Sequence, residues 1–131
     1  MNNTLITLAK SVQAELKDYN AELQLVPEFT LRELDKMKVV VVPFDMEYKF
    51  FSRNKKEKVL KLQIGFLKRA TEDELDGLLT FVSETGFKLL GKKFNDVFCT
   101  AVAYNPLYSP DQMRENRQFT CIMELTFLEI N

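Results

Sequence analysis

The chain has 131 residues, of which 46% are hydrophobic and 28% are charged, and its formal net charge is -1. This balance is typical of a folded globular protein and excludes intrinsic disorder, while the near-neutral charge excludes a global attraction to nucleic acid or acidic membranes. The length predicts a single domain over residues 1–131. The chain contains no histidine, which removes the usual general base and the usual metal ligand.

The first residues have none of the features of an export signal. Asn2 and Asn3 lead directly into a short apolar stretch with no basic segment, so we expect no secretory signal. No stretch approaches the run of about eighteen apolar residues that a membrane span requires, and we predict no membrane association. Cys99 and Cys121 fall in predicted strands, and we expect buried thiols rather than a disulfide.

The first elements in chain order are a helix and a strand. Apolar residues at helical spacing predict a helix over residues 4–18. Alternation of apolar and polar residues predicts a strand over 21–26, ended by Pro27. A capping box beginning at Thr30 predicts a short helical turn over 30–36.

The next segment predicts a long β-hairpin. Four consecutive valines predict a strand over 38–43 that is covered on both faces. The strand continues over 45–52, and the break at Asp45 is interpreted as a bulge. A polar turn at 53–56 leads into a second alternating strand over 57–68.

The second half predicts a helix and two strands joined by a long loop. A capping box at Thr71 starts the helix and Gly91 caps it, although Gly86 could end it earlier. Strands are predicted over 96–104 and 118–130. We therefore predict an α+β fold, an antiparallel or mixed β-sheet of about five to six strands with a long β-hairpin, packed by an N-terminal helix and a central helix.

The connection from Asn105 to Arg117 is the most informative part of the chain, because thirteen residues are long for a link between neighbouring strands. Its two prolines argue against a strand or a regular helix. It displays apolar side chains among charged ones, which favours a contact surface over a solvated loop. The candidate contact residues are Leu107, Tyr108, Met113, Arg114 and Arg117.

A second candidate surface is the arm of the hairpin, residues 46–60, where basic residues group at the tip beside aromatic ones. Its candidate contact residues are Tyr48, Phe50, Arg53, Lys55 and Lys56. The arm could dock on a protein neighbour, or grip nucleic acid through backbone charge and base stacking. It could also be a solvated hairpin end whose lysines block unwanted edge pairing. The residues alone leave these three interpretations open.

A search for catalytic or cofactor chemistry finds no motif. The four glycines are scattered and form no phosphate-binding loop, and the acidic run over 72–76 is interpreted as the start of a helix. We predict that the protein is not an enzyme and holds no cofactor or metal. Apolar residues on both faces of the strands favour self-association, because two helices and a turn leave room for burial by another subunit.

Four segments carry a family resemblance. They are 21–29, after the opening helix, the valine run 38–43, the segment 62–69 before the acidic helix start, and 125–127 in the closing strand. With the order of helix, strand, hairpin, helix, strand, loop and strand, they resemble the tail terminator (tail completion) proteins of long-tailed bacteriophages and prophages. The resemblance covers nearly the full chain.

The resemblance implies a structural protein that caps the tail tube as an oligomeric ring, typically a hexamer. The ring stops tube polymerisation and provides the surface for head–neck attachment. The implied partners are further copies of the chain, the tail-tube protein and a neck or connector protein, reached through the arm and the long loop. Nucleic acid is not an implied partner. The implied location is the tail or neck of the virion, and the host cytoplasm during assembly.

Three alternative functions stay open at this point. One is an unrecognised small enzyme, which would need a concave pocket with convergent polar groups. Another neck or head–tail completion protein of the same particle could have the same size and α+β composition. From a different class, a small nucleic-acid-binding module could use the basic hairpin.

Overall fold

A computed structural model describes residues 4–25 and 35–130. The elements are α1 (Thr4–Glu15), β1 (Glu22–Leu23), β2 (Lys38–Ser52), β3 (Lys55–Arg69), α2 (Glu72–Leu89), β4 (Lys93–Phe94), β5 (Val97–Tyr104), α3 (Pro110–Asn116) and β6 (Gln118–Ile130). The strands form one curled, mixed sheet in the order β1-β2-β3-β6-β5-β4, in which β1 runs parallel to β2 and the other neighbours are antiparallel. The predicted α+β fold, with its N-terminal and central helices, is confirmed.

The predicted hairpin is the longest feature of the sheet, since β2 and β3 have 15 residues each. Their antiparallel pairing runs from Lys38 opposite Leu67 to Ser52 opposite Lys55. The register shifts between Pro43 and Asp45 and again between Phe50 and Ser52, so the break predicted at Asp45 is indeed a bulge. On its other side β3 pairs with β6 along the whole length of β6.

The main core lies between one face of this sheet and the helices. The alternating apolar residues of β6 all face it and are fully buried; they are Phe119, Cys121, Met123, Leu125 and Phe127. Leu8 and Val12 of α1 and Val82 of α2 pack against the same cluster. The opposite face of the described sheet carries only a small separate cluster around Val40 and Leu67. The helices described here therefore cover one face of the sheet, not both.

Helix α2 starts and ends as predicted. The capping box at Thr71 is formed, and the Glu74 carboxylate accepts a hydrogen bond of 2.8 Å from Lys68 Nζ, which lowers the pKa of Glu74. Gly91, with a φ of +80°, follows the last turn. Gly86 does not end the helix. It makes room for Tyr104 of β5, because a Cβ at Gly86 would lie 2.2 Å from the Tyr104 hydroxyl.

Three elements differ in their bounds or their existence from the prediction. Helix α1 stops at Glu15 and a 3-10 turn over Lys17–Tyr19 follows. Strand β1 has two residues rather than six, because only Val40 and Val41 of β2 pair with it. The two-residue strand β4 was not predicted, and such a short strand has no periodicity to detect. The turn predicted over 30–36 falls mainly outside the described residues.

The prediction that residues 105–117 contain no regular helix is wrong. Pro110–Asn116 form α3, and the Ser109 side chain caps it by accepting a hydrogen bond of 3.3 Å from the Gln112 backbone N–H. Proline at the first helical position is compatible with a helix because its missing N–H has no partner there in any case. Arg117 closes the helix with a φ of 50°, and its carbonyl accepts a hydrogen bond of 2.7 Å from Ala70.

Both cysteines are buried free thiols, as predicted. Although β5 and β6 are neighbours, Cys99 lies opposite Phe127 and not opposite Cys121. Burial raises the pKa of the Cys121 thiol to about 12 and also raises the pKa of Cys99. Each side chain therefore acts as a small apolar residue of the core.

Candidate docking surface

The outer half of β2 places large apolar side chains in contact with solvent. Met46, Tyr48 and Phe50 lie opposite Leu60, Lys58 and Lys56 of β3. Because Leu60 belongs to the core, all three lie on the core-facing side of the sheet, yet they are 38%, 60% and 82% exposed. We call Met46, Tyr48 and Phe50 the arm stripe.

The arm stripe stands beside an open strand edge. One edge of β2 is occupied by β3, and β1 covers the other edge only at Val40 and Val41. Within the described residues, no strand pairs with the outer edge of β2 beyond the bulge. An edge strand of this kind presents unpaired N–H and C=O groups that can template the addition of another strand. The arm therefore offers backbone hydrogen bonds and apolar side chains at the same place.

Cationic side chains border the arm stripe. An open groove of about 540 Å³ is lined by Tyr48, Lys49, Phe50, Lys56 and Lys58. Lys58 Nζ lies 5.9 Å from the centroid of the Tyr48 ring, within the range of a cation–π contact. Tyr48 Oη is 3.5 Å from Met46 Sδ, and Lys49 Nζ is 3.9 Å from a Glu47 carboxylate oxygen. The groove thus combines an apolar floor with positive charge, the composition of a binding surface for protein side chains.

All five arm residues predicted from the sequence lie together at this end of the sheet. Tyr48, Phe50 and Lys56 line the groove. Arg53 is in the two-residue turn and Lys55 begins β3, and both are exposed. Sequence reasoning missed Met46, although it lies two positions before Tyr48 on the same side of the strand. It also missed Phe87, an 81% exposed side chain on the outer side of α2.

The predicted long-loop residues do not form one surface. Met113 is only 6% exposed and belongs to the core, so its prediction as a contact residue is wrong: the turn of α3 directs this side chain against the sheet. Tyr108 is half-buried against the same core. Leu107, Arg114 and Arg117 are exposed, and Arg114 lies 3.7 Å from Asp111 in an exposed ion pair.

The arm and the loop lie at opposite ends of the sheet. Gln118, which follows the loop, pairs with Arg69 at the end of β3, whereas Ile130 pairs with Glu57 near the arm tip. At about 3.3 Å per residue, β6 is about 40 Å long as measured along the strand. The exposed residues of the loop therefore cannot share a ligand-sized site with the arm stripe.

Among residues 4–25 and 35–130, no group of three or more Cys, Asp or Glu side chains is arranged to hold a metal ion. None of the helices in this part of the chain is long and apolar enough to cross a membrane. No protein-family model matches the sequence, and no curated protein matches it significantly. The resemblance to tail terminators therefore stays a prediction.

Proposed function

We propose that the protein is a structural assembly protein that caps a phage or prophage tail tube as a ring of identical copies. The observation that supports this most strongly is the arm stripe, an apolar, cation-bordered strip on an open strand edge. Soluble monomers rarely expose contiguous apolar surface of this kind, and where they do it commonly marks a protein contact. Aromatic side chains are also the residues that interfaces enrich.

The separation of the two exposed surfaces also supports an assembly role. A ring subunit needs a head-to-tail contact with its neighbours that closes by rotation. A cap must in addition contact the tube on one side and the neck on the other. The exposed contact residues lie at the arm and around Leu107 and Arg114, about 40 Å apart along the sheet. This separation suits a subunit with several neighbours. The family resemblance supplies the identity of those neighbours.

Tail-tube capping can be tested with purified tail tubes that are still elongating. We expect the intact protein to stop elongation and to appear as a ring at the tube end in negative-stain images. Tyr48→Ser combined with Phe50→Ser should abolish capping while leaving thermal unfolding nearly unchanged, because both side chains are exposed. Phe87→Ser is the matched control, an equally exposed aromatic residue away from the arm.

Three results would contradict the proposal. Tubes that elongate normally with the intact protein, with no ring at their ends, would remove the capping function. Binding to an isolated neck component without any effect on tubes would favour the other neck-protein interpretation. Tight, strongly salt-dependent binding to DNA would instead favour the nucleic-acid module, for which the five cations Lys49, Arg53, Lys55, Lys56 and Lys58 would neutralise phosphates.

A further inference from the structure

The order of residues along the outer edge of β2 is self-complementary about Tyr48. Glu47 and Lys49 flank Tyr48, and Met46 and Phe50 flank that pair. We propose that two copies of the chain pair antiparallel through these edges, with a two-fold axis at Tyr48. Each Glu47 then lies opposite Lys49 of the second copy, and each Met46 lies opposite Phe50. Two six-stranded sheets become one continuous sheet.

The alternative registers are less favourable, either because they bring like charges together or because they place apolar side chains opposite polar ones. Centring the axis on Glu47 or on Lys49 places two like charges directly opposite each other, which is destabilising. Registers centred between residues would set the arm stripe opposite the polar side of the second strand, because side chains alternate with a period of two. Centring on Phe50 runs the pairing into the turn at Arg53 and the register shift that follows Phe50. An axis at Met46 would place Asp45 opposite Glu47, again two like charges. Among these registers, only the axis at Tyr48 brings opposite charges together and keeps apolar side chains opposite apolar ones.

Most of the groups that this pairing requires are accessible. The Met46 N–H donates a 2.8 Å hydrogen bond to the Asp45 carboxylate, and pairing would exchange this bond for one to the second copy. Within the described residues no strand covers this edge, and Tyr48 and Phe50 are mostly exposed. The side chains of Glu47 and Lys49 are 57% and 52% exposed and 3.9 Å apart within one strand. Their weak local ion pair can be exchanged for two pairs across the axis. A two-fold axis on a residue also gives a regular antiparallel ladder, because equivalent outward N–H and C=O groups meet in matched pairs.

This contact goes beyond the proposed ring. A two-fold contact uses the same patch on both copies and closes at two subunits, whereas a ring needs a contact that repeats head to tail. Pairing would also bury the arm stripe of both copies. The paired edge and a tube-bound arm therefore exclude each other, and the dimer is a form in which the arm is shielded before assembly.

A charge-exchange experiment tests the pairing. Glu47→Lys and Lys49→Glu should each raise the dimer dissociation constant about tenfold or more, because each converts two opposite-charge pairs into like-charge pairs. The double variant should dimerise like the original chain. An equimolar mixture of the two single variants should also dimerise, because two lysines of one copy then face two glutamates of the other. Mass by light scattering over a concentration series measures all four, against a monomer of 15.3 kDa.

A crosslink tests the register independently. Tyr48→Cys should be joined between copies by a thiol-specific crosslinker that spans about 5 Å, since directly opposite residues have Cβ atoms about 5 Å apart, slightly farther than a direct disulfide spans. Phe50→Cys is the control, because its opposite residue is Met46 and it should not crosslink with itself. The two native cysteines are buried, so they should not interfere.

Three outcomes would overturn the inference. The intact chain could remain at the monomer mass at every concentration, either single variant could dimerise normally, or mixing the two could fail to restore dimers. A dimer that behaves as expected in a protein that does not cap tubes would overturn the ring proposal alone. Capping by a protein whose charge exchange has no effect would overturn the two-fold pairing alone.

Discussion

The inner and outer halves of the β2–β3 hairpin have the same alternation on the same side of the sheet, but opposite environments. In the inner half, Val39 and Val41 face the core with Phe66, and all three are fully buried. In the outer half, Tyr48 and Phe50 continue the same side of β2 and are 60% and 82% exposed. The difference lies in the reach of the core, because in the outer half the cluster that includes residues of α1 and α2 extends only to Leu60, opposite Met46.

The alternation of apolar and polar residues along a strand determines which side of the sheet each side chain faces. It does not determine whether another element of the fold covers that side chain. Burial contributes roughly 25 cal/mol for each Å² of apolar surface removed from water. In the inner half this free energy stabilises the folded chain. In the outer half it is not used by the described fold and can contribute to an association. The outer half of β2 thus has the alternating apolar side chains of a core strand, but these side chains remain exposed to solvent.

The largest expected contrast is between two phenylalanines of the same hairpin. Phe66→Ala should lower the free energy of unfolding by about 3–5 kcal/mol, because it leaves a cavity in the core and removes an edge-to-face contact with Phe81 at 5.8 Å. Phe50→Ala should change it by less than about 0.5 kcal/mol. Urea unfolding followed by circular dichroism measures both.

These measurements should be made on monomeric samples, since dimerisation would add a concentration-dependent stability to the chain. If Phe50→Ala destabilised the monomer as much as Phe66→Ala, the arm would be part of the fold. The distinction between covered and uncovered halves would then be wrong.

The elements that could be predicted from the sequence are those with strong local signals. The hairpin has long alternating runs, α2 has its capping box at Thr71, and β6 alternates over its full length. Helix α3 was missed because Pro110 was interpreted as a helix breaker. Ser109 before it and Asp111 after it form a helix start, in which proline is favoured. That order of residues was a readable signal.

The candidate docking surface could be predicted only in part, because a local sequence pattern does not determine how exposed a side chain is. The turn composition located Tyr48, Phe50 and the basic tip. Exposure depends instead on where the helices end over the sheet, which is set by contacts distant in sequence. Met113 is the opposite case. The loop composition predicts a contact residue there, but helix α3 turns this side chain into the core.

A second contrast, between two glycines of α2, measures how closely the covered side is packed. Gly86→Ala should destabilise the protein by about 1–3 kcal/mol, because its Cβ would collide with Tyr104, whose hydroxyl donates a 2.6 Å hydrogen bond to the Val82 carbonyl. Gly77→Ala meets nothing within 4 Å and should stabilise by up to about 1 kcal/mol through helix propensity. Thermal unfolding of both variants measures these two changes in stability. A Gly86→Ala protein as stable as the original chain would mean that Tyr104 can move aside.

A further expected effect, close in size to that of Gly77→Ala, is a loss of stability at alkaline pH that arises on the covered side of the sheet. Burial raises the pKa of Cys121 to about 12 from an ordinary value of 9.0. Between these values the unfolded chain has lost the thiol proton and the folded chain has kept it, so the free energy of unfolding falls as the pH rises. One pH unit above the ordinary value, the loss is about 1 kcal/mol.

Denaturant unfolding between pH 8 and pH 10 measures this loss, and Cys121→Ala is the variant that isolates it. The slope should become shallower in Cys121→Ala without disappearing, because burial also raises the pKa values of Cys99 and Tyr104 in the same direction. An unchanged slope would show that Cys121 titrates normally in the folded protein. Solvent would then reach the β6 face that packs under the helices, and the covered half would differ from the arm less than its burial indicates.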